Sequence, residues 1–150
     1  MNPATQSQTE AYWVLGHRVR PLPTQGDYGL VEILSLPDVP GPPPHVHEGV
    51  SEFFYIAEGS LDVQVDGTWQ RLNAGDSLCL DPGQVHTLMN RSDAPCRWIT
   101  GWSPRGFEQF FADMGVAADE PGSQAASVAP ERIQKVGAEC ERYGMIIAKD

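Results

Sequence analysis

Lysine is nearly absent from this chain. Lys135 and Lys149 are the only two in 150 residues, and the formal charge at neutral pH is −10. Without a basic stripe to neutralise phosphates, nucleic acid and anionic membrane are not expected as partners. Cysteine is scarce as well. Cys79, Cys96 and Cys140 lie far apart, are odd in number and form no C-x-x-C pair, so buried reduced thiols are expected rather than a disulfide framework. No apolar run approaches the length of a membrane span. The first ten residues, Met1 to Glu10, have neither the basic nor the apolar region of a signal peptide. This leads us to expect a flexible tail over 1–10 and a cytoplasmic location.

What the chain does contain points to β structure. Hydrophobic residues make up 41%, enough for one domain to bury a core without disulfide or metal staples. Its 15 glycines and 13 prolines fall largely between short apolar runs, as in a turn-rich all-β protein. Strands are expected over 12–20, 29–36, 52–57, 60–65, 68–72, 77–80, 85–90 and 96–102. The Asp66-Gly67 dipeptide is a strong hairpin signal and pairs Leu61 with Leu72 on one face and Asp62 with Arg71 on the other. Short strands at near-regular spacing indicate a sandwich or closed barrel. If Glu52 points inward, Phe54 and Ile56 do too, with Phe53 and Tyr55 on the opposite face. Both faces of that strand are apolar, so it is expected to be covered on both sides.

Helical periodicity is confined to the C-terminal part. Ser103-Pro104 reads as a helix start, followed by Phe107, Phe110, Phe111 and Met114 at helical spacing and a stop at Gly115. Residues 116–129 read as a linker or mobile loop. Pro130 opens a second helix with Ile133, Val136, Cys140 and Tyr143 on one face, ended by Gly144. The expected organisation is a barrel with the first helix over 11–115, then a linker and a helix over 116–150 packed on the barrel or on a partner subunit.

The chemistry gathers in two stretches. In Gly41-Pro-Pro-Pro-His45-Val-His47 the histidines are two residues apart, so in extended chain both imidazoles point to one side. The prolines stiffen the approach to that pair. Glu52 follows five residues later, at the start of a strand, and His86 lies on another strand. Neutral imidazole and carboxylate are ligands shared by zinc, iron, nickel, copper and manganese. His17 has no partner nearby in sequence and reads as a core or surface residue.

The spacing resembles a known family. His45-x-His47-x4-Glu52-x6-Gly59 is similar to the first signature of the cupin superfamily. Gly75-Asp76 with Gly83-x2-His86-x3-Asn90 is similar to the second. The Pro-Pro-Pro-His approach and the Ser-Pro-Arg-Gly-Phe-Glu segment resemble the quercetin dioxygenase-like branch. In motif two, Asp81 stands where the family has proline, with proline one residue later, in a loop expected at the mouth of the barrel.

The resemblance implies an all-β, double-stranded β-helix (a cupin jelly-roll barrel) with one or two short C-terminal helices. His45, His47, Glu52 and His86 would hold one divalent transition metal, from among Fe, Ni, Mn, Cu, Co and Zn. Glu52 would also act as the catalytic base. Phe54, Ile56, Leu88, Phe107 and Phe111 would line a substrate pocket; Trp98 and Trp102 are weaker candidates whose simpler role is core. The implied activity is a dioxygenase using O2 on a small enolic, phenolic or aromatic substrate. Non-redox isomerase, cyclase or lyase chemistry at the same metal, and non-catalytic binding of a small molecule, are the alternatives. Cupin-like barrels commonly assemble through edge strands and terminal segments, so a homodimer is expected.

Overall fold

The alternating segments of the sequence become short strands, seen in a computed structural model that describes residues 10–149. The expected flexible tail over 1–10 falls, apart from Glu10, outside the described residues. In chain order the strands are β1 (Tyr12–Val14), β2 (His17–Leu22), β3 (Gly29–Ser35), β4 (His45–His47), β5 (Ser51–Glu58) and β6 (Ser60–Val65). They continue with β7 (Thr68–Asn73), β8 (Ser77–Leu80), β9 (His86–Met89) and β10 (Cys96–Ser103). Next come α1 (Gln109–Met114), β11 (Val116–Ala117), α2 (Ser123–Ser127), α3 (Pro130–Glu139) and β12 (Met145–Ile147).

The strands form two antiparallel sheets, ordered β11-β1-β2-β3-β10-β5-β8 and β12-β4-β9-β6-β7. The inner faces meet in one core, where Val31, Phe54, Ile56, Leu61 and Val63 are fully buried. This is the double-stranded β-helix with short C-terminal helices that the sequence implied. The Asp66-Gly67 hairpin has the expected register, Leu61 opposite Leu72 and Asp62 opposite Arg71. The second pair is a two-pronged ion pair, with Arg71 Nε donating to Asp62 Oδ1 at 2.8 Å.

Four local expectations change. The run 12–20 is a hairpin rather than one strand, because Leu15 and Gly16 both take positive φ (49° and 87°) and reverse the chain. Ser103 remains in β10, paired with Ser51, so it is not the cap of a helix. The chain then turns through Gly106, and the first α-helix begins only at Gln109. The segment 116–129 carries structure: β11 pairs with β1, and Ser127 Oγ, buried in α2, accepts a hydrogen bond from Gly16 N at 2.9 Å. Finally, among the described residues the outer face of β5 is only partly covered, since Tyr55 is 42% exposed and Phe53 half-buried while Phe54 and Ile56 are sealed.

The proline-rich loop 37–44 sets where β4 begins. It is pinned to the strand carrying His86: Thr87 Oγ1 donates to the Pro42 carbonyl and Asp38 N to Asn90 O. Gly41 lies so close to β9 that an added Cβ would stand 1.8 Å from the Leu88 carbonyl oxygen. Gly41→Ala must therefore push the loop off β9. It is expected to cost roughly 1–3 kcal/mol, read by denaturant unfolding of the metal-free protein.

β4 is also held from its other side. β12 pairs with it in the register Met145 to His47 and Ile147 to His45, while β9 contributes the His45–His86 pair. Two further bonds, Glu48 N to Gly144 O (3.0 Å) and Ala148 N to Pro44 O (2.8 Å), close the ends of this brace.

Candidate metal centre

β4 sends the His45 and His47 side chains into the barrel, as the two-residue repeat requires. β9, its neighbour, brings His86 directly opposite His45. One ring nitrogen from each of the three lies within 4.8 Å of the others. Glu52 arrives from the facing sheet: its Oε1 is 2.9 Å from His86 Nε2 and 3.3 Å from His47 Nε2. All four expected ligands thus converge, and all are between 2% and 6% exposed, withdrawn from bulk solvent.

The hydrogen bonds decide which nitrogens face inward. His45 Nδ1 donates to the Pro43 carbonyl at 3.0 Å, and His86 Nδ1 donates to the Gln84 carbonyl at 2.9 Å. A carbonyl only accepts, so each Nδ1 carries the proton and each neutral ring presents an Nε2 lone pair to the interior. Glu52 Oε2 accepts from Thr100 Oγ1 at 2.8 Å, which orients the carboxylate and leaves Oε1 pointing at the histidines. Glu52 Oε1 and His86 Nε2, though only 2.9 Å apart, are not aligned for a hydrogen bond, and among the described residues neither has a hydrogen-bond partner.

Two buried lone pairs facing each other at that distance need a cation or a proton between them. A divalent transition metal satisfies this, with three imidazoles, one carboxylate and backbone carbonyls supporting two of the rings. The residues present therefore fit the metal.

Without a metal, the electrostatics follow from the same contacts. Burial, reinforced by the neighbouring His86 and His47, depresses His45 to about 3, so its ring is neutral at ordinary pH. Burial pushes Glu52 upward, but His47 and His86 outweigh it and hold the carboxyl at about 2. For His86 burial acts downward, yet the Glu52 carboxylate prevails and its pKa is raised.

The sign of the pH dependence follows. His45 takes up a proton below 6.5 when unfolded but only near 3 when folded, so its burial destabilises the protein progressively as pH falls through that interval. Glu52 contributes stability above its ordinary 4.5 that disappears as pH falls toward about 2. His86 works the other way, stabilising below 6.5 and losing that contribution as pH rises through its folded value. The metal-free protein is expected to lose on the order of 10 °C in melting temperature between pH 6.5 and pH 4, measured by thermal unfolding after chelation.

Above the four ligands lies a cavity of about 220 Å³. Of the residues expected at a substrate pocket, Phe54, Leu88, Trp98, Trp102, Phe107 and Phe111 line this cavity. Both tryptophans are also core residues, each 2% exposed. Ile56 is the correction: it is fully buried but does not reach the cavity. It sits opposite Trp98 on β10, one inward position beyond Phe54, where the barrel interior is filled. The Asp81–Gly83 loop is not among the lining residues either; it folds beside the β6–β7 turn, where Gln84 Nε2 donates to Asp66 Oδ2 at 3.2 Å.

Several contributors had only faint sequence signals. Thr100 is a polar residue on the inward face of β10 between Trp98 and Trp102, and that alternation was its one clue. His17 lines the cavity wall with both ring nitrogens occupied, facing Pro40 O at 3.0 Å and Ser35 Oγ at 2.9 Å. Trp98 Nε1 donates to the same Ser35 Oγ at 3.0 Å, so His17 is a satisfied core residue rather than a ligand.

Comparison with known proteins agrees with this architecture. Residues 35–102 match the cupin domain family. A probable oxidoreductase, patJ of Penicillium expansum, is 35% identical over 68 residues, covering 44% of this chain and 21% of the relative. The tetracenomycin polyketide synthase protein TcmJ of Streptomyces glaucescens is 31% identical over 87 residues, covering 58% of this chain and 56% of TcmJ. The matched part of this chain thus spans from a fifth to a little over half of these relatives. Among solved structures, an RmlC-like cupin from Shewanella frigidimarina superposes with a TM-score of 0.59 at 27% identity, covering 68% of this chain and 89% of that one. Family match and fold neighbour together support the cupin superfamily.

Proposed function

We propose that this cupin-type barrel is a metal-dependent dioxygenase for a small, neutral enolic, phenolic or aromatic substrate. The observation that carries the proposal is the join of two features: a buried three-histidine, one-glutamate cluster at the base of a cavity whose walls are otherwise almost wholly apolar. Among the described residues no lysine or arginine lines that cavity, so away from the metal cluster a phosphate or carboxylate on the substrate would find no counter-charge. An uncharged ring held by aromatic walls, with one oxygen directed at the cluster, is the ligand these surfaces fit. The printed descriptions of the relatives, an oxidoreductase and a polyketide synthase protein, run in the same direction.

His45, His47, Glu52 and His86 would hold the metal. When bound, the ion supplies Lewis acidity toward a substrate oxygen and, if redox-active, electrons for O2. The protein's own residues do the rest. Phe54, Trp98 and Trp102 orient the ring, while Phe107 and Phe111 exclude water. Glu52 accepts the substrate hydroxyl proton at Oε1 once that oxygen is free of ligation, while Thr100 holds Oε2.

The test is oxygen uptake by metal-reconstituted protein given phenols and enols, in air and under argon. Uptake matching substrate loss is expected. Product formed without oxygen consumption would move the reaction to isomerase, cyclase or lyase chemistry; tight binding with no product would make the barrel a binding module. Among the described residues no helix is long and apolar enough to cross a membrane. Homodimer formation belongs to the same proposal: a second copy covering the outer face of β5 would bury Tyr55, and light scattering at twice the chain mass is the expected result.

A further inference from the structure

α3 lies beyond the segment shared with the cupin domain family, yet its residues Ile133, Val136 and Gly137, with Cys140 just after it, line the cavity. At spacings of three and four they form one stripe on the helix. Val136 and Cys140 are buried, whereas Ile133 is 52% exposed and Gly137 is also exposed. The exposed half of a cavity-lining stripe is the rim of the opening. The lining residues Pro42, Pro43 and Ile147 are likewise partly or fully exposed.

Gly137 is unusual at this place. After proline, glycine is the least favourable residue in a helix interior. Its φ does not require glycine, and a Cβ added there would meet no atom within 4 Å. Neither backbone conformation nor close packing accounts for it. What it does provide is a notch in the rim, beside the exposed Ile133.

We infer that α3 is the entrance wall of the cavity and that Gly137 sets the size of ligand it admits; the inference rests on the functional reading above. Any side chain at 137 narrows the opening between α3 and the proline-rich loop, and Ile133 is the apolar surface an incoming ring meets first.

The experiment is calorimetric titration of the full chain, loaded with redox-inert zinc, with phenol and with 2-naphthol. No turnover is needed. Gly137→Leu is expected to weaken 2-naphthol by about tenfold or more while phenol changes by less than about twofold, the range that one or two methylenes command in a pocket. Ala138→Leu, which adds similar bulk on the exposed opposite side of α3, is expected to change neither. Unchanged naphthol binding in Gly137→Leu, or equal weakening of both ligands in both variants, would overturn the inference. Thermal melts check folding, and if Gly137→Leu does not fold, Gly137→Ala carries the test with a weaker selective loss of naphthol. A wild-type chain that binds neither probe refutes the functional reading itself, and the entrance with it.

Discussion

His86→Ala is expected to leave the protein folded and almost free of metal, with affinity reduced by more than the roughly 10–100-fold that loss of an outer hydrogen-bond partner costs. His86 faces His45 across β4 and β9, and its Nε2 is the lone pair nearest Glu52 Oε1. Truncation leaves Glu52 Oε1 facing His47 at 3.3 Å, with Thr100 still on Oε2, and removes one corner of the cluster. Metal per chain, measured by elemental analysis after purification without chelators, reads the effect. His47→Ala should behave the same way. The informative control is His17→Ala, because His17 is also a buried histidine on the cavity wall. Both its nitrogens are occupied by Ser35 and Pro40, so this variant should lower the melting temperature while keeping the metal. Full metal content in His86→Ala would refute the site.

The second large effect is expected at Glu52. Glu52→Gln keeps the shape of the side chain and a partner for Thr100, but removes the charge and the proton acceptor. If Oε1 takes the substrate proton, turnover per bound metal should fall by roughly 10²–10⁴-fold, the usual contribution of a positioned base. Thr100→Val leaves the carboxylate intact and frees Oε2, so a smaller loss, about 10–100-fold, is expected. Rates must be expressed per metal, since both changes also weaken its binding. A Glu52→Gln enzyme with wild-type turnover per metal would restrict Glu52 to ligation. In that variant the acid-linked loss of stability should also become shallower below pH 4.5, because one group that favours the folded state only when ionised is gone.

Much of this centre was legible because its signals are local. A histidine pair two residues apart converges in any extended segment, and β4 is such a segment. The Asp66-Gly67 turn sets a hairpin register by its own geometry, and Asp62 met Arg71 as expected. Other readings failed where local signals were ambiguous. Leu15-Gly16 carries a turn inside an apolar run, and a leucine at positive φ does not announce itself. Ser103-Pro104 has the composition of a helix start, but pairing with β5 kept Ser103 in a strand. Ile56 shares the inward face with Phe54, and only the filling of the barrel around Trp98 separates a packed position from a cavity wall.

The residues near 145 show the limit most clearly. Met145-Ile-Ile147 is too short to indicate a strand, and nothing in it names a partner, yet it pairs residue for residue with His45–His47. Alone, the sequence determined most of the strands, the Asp66-Gly67 turn and four side chains with metal-binding chemistry, because strand period, turn geometry and ligand type are properties of neighbouring residues. Only the tertiary structure decided that Thr100 orients Glu52, that β12 braces the ligand strand, and that α3 walls the entrance. These depend on contacts between residues 48 or more positions apart, as for Thr100 and Glu52, and such contacts are selected by packing of the whole chain rather than by any stretch of it.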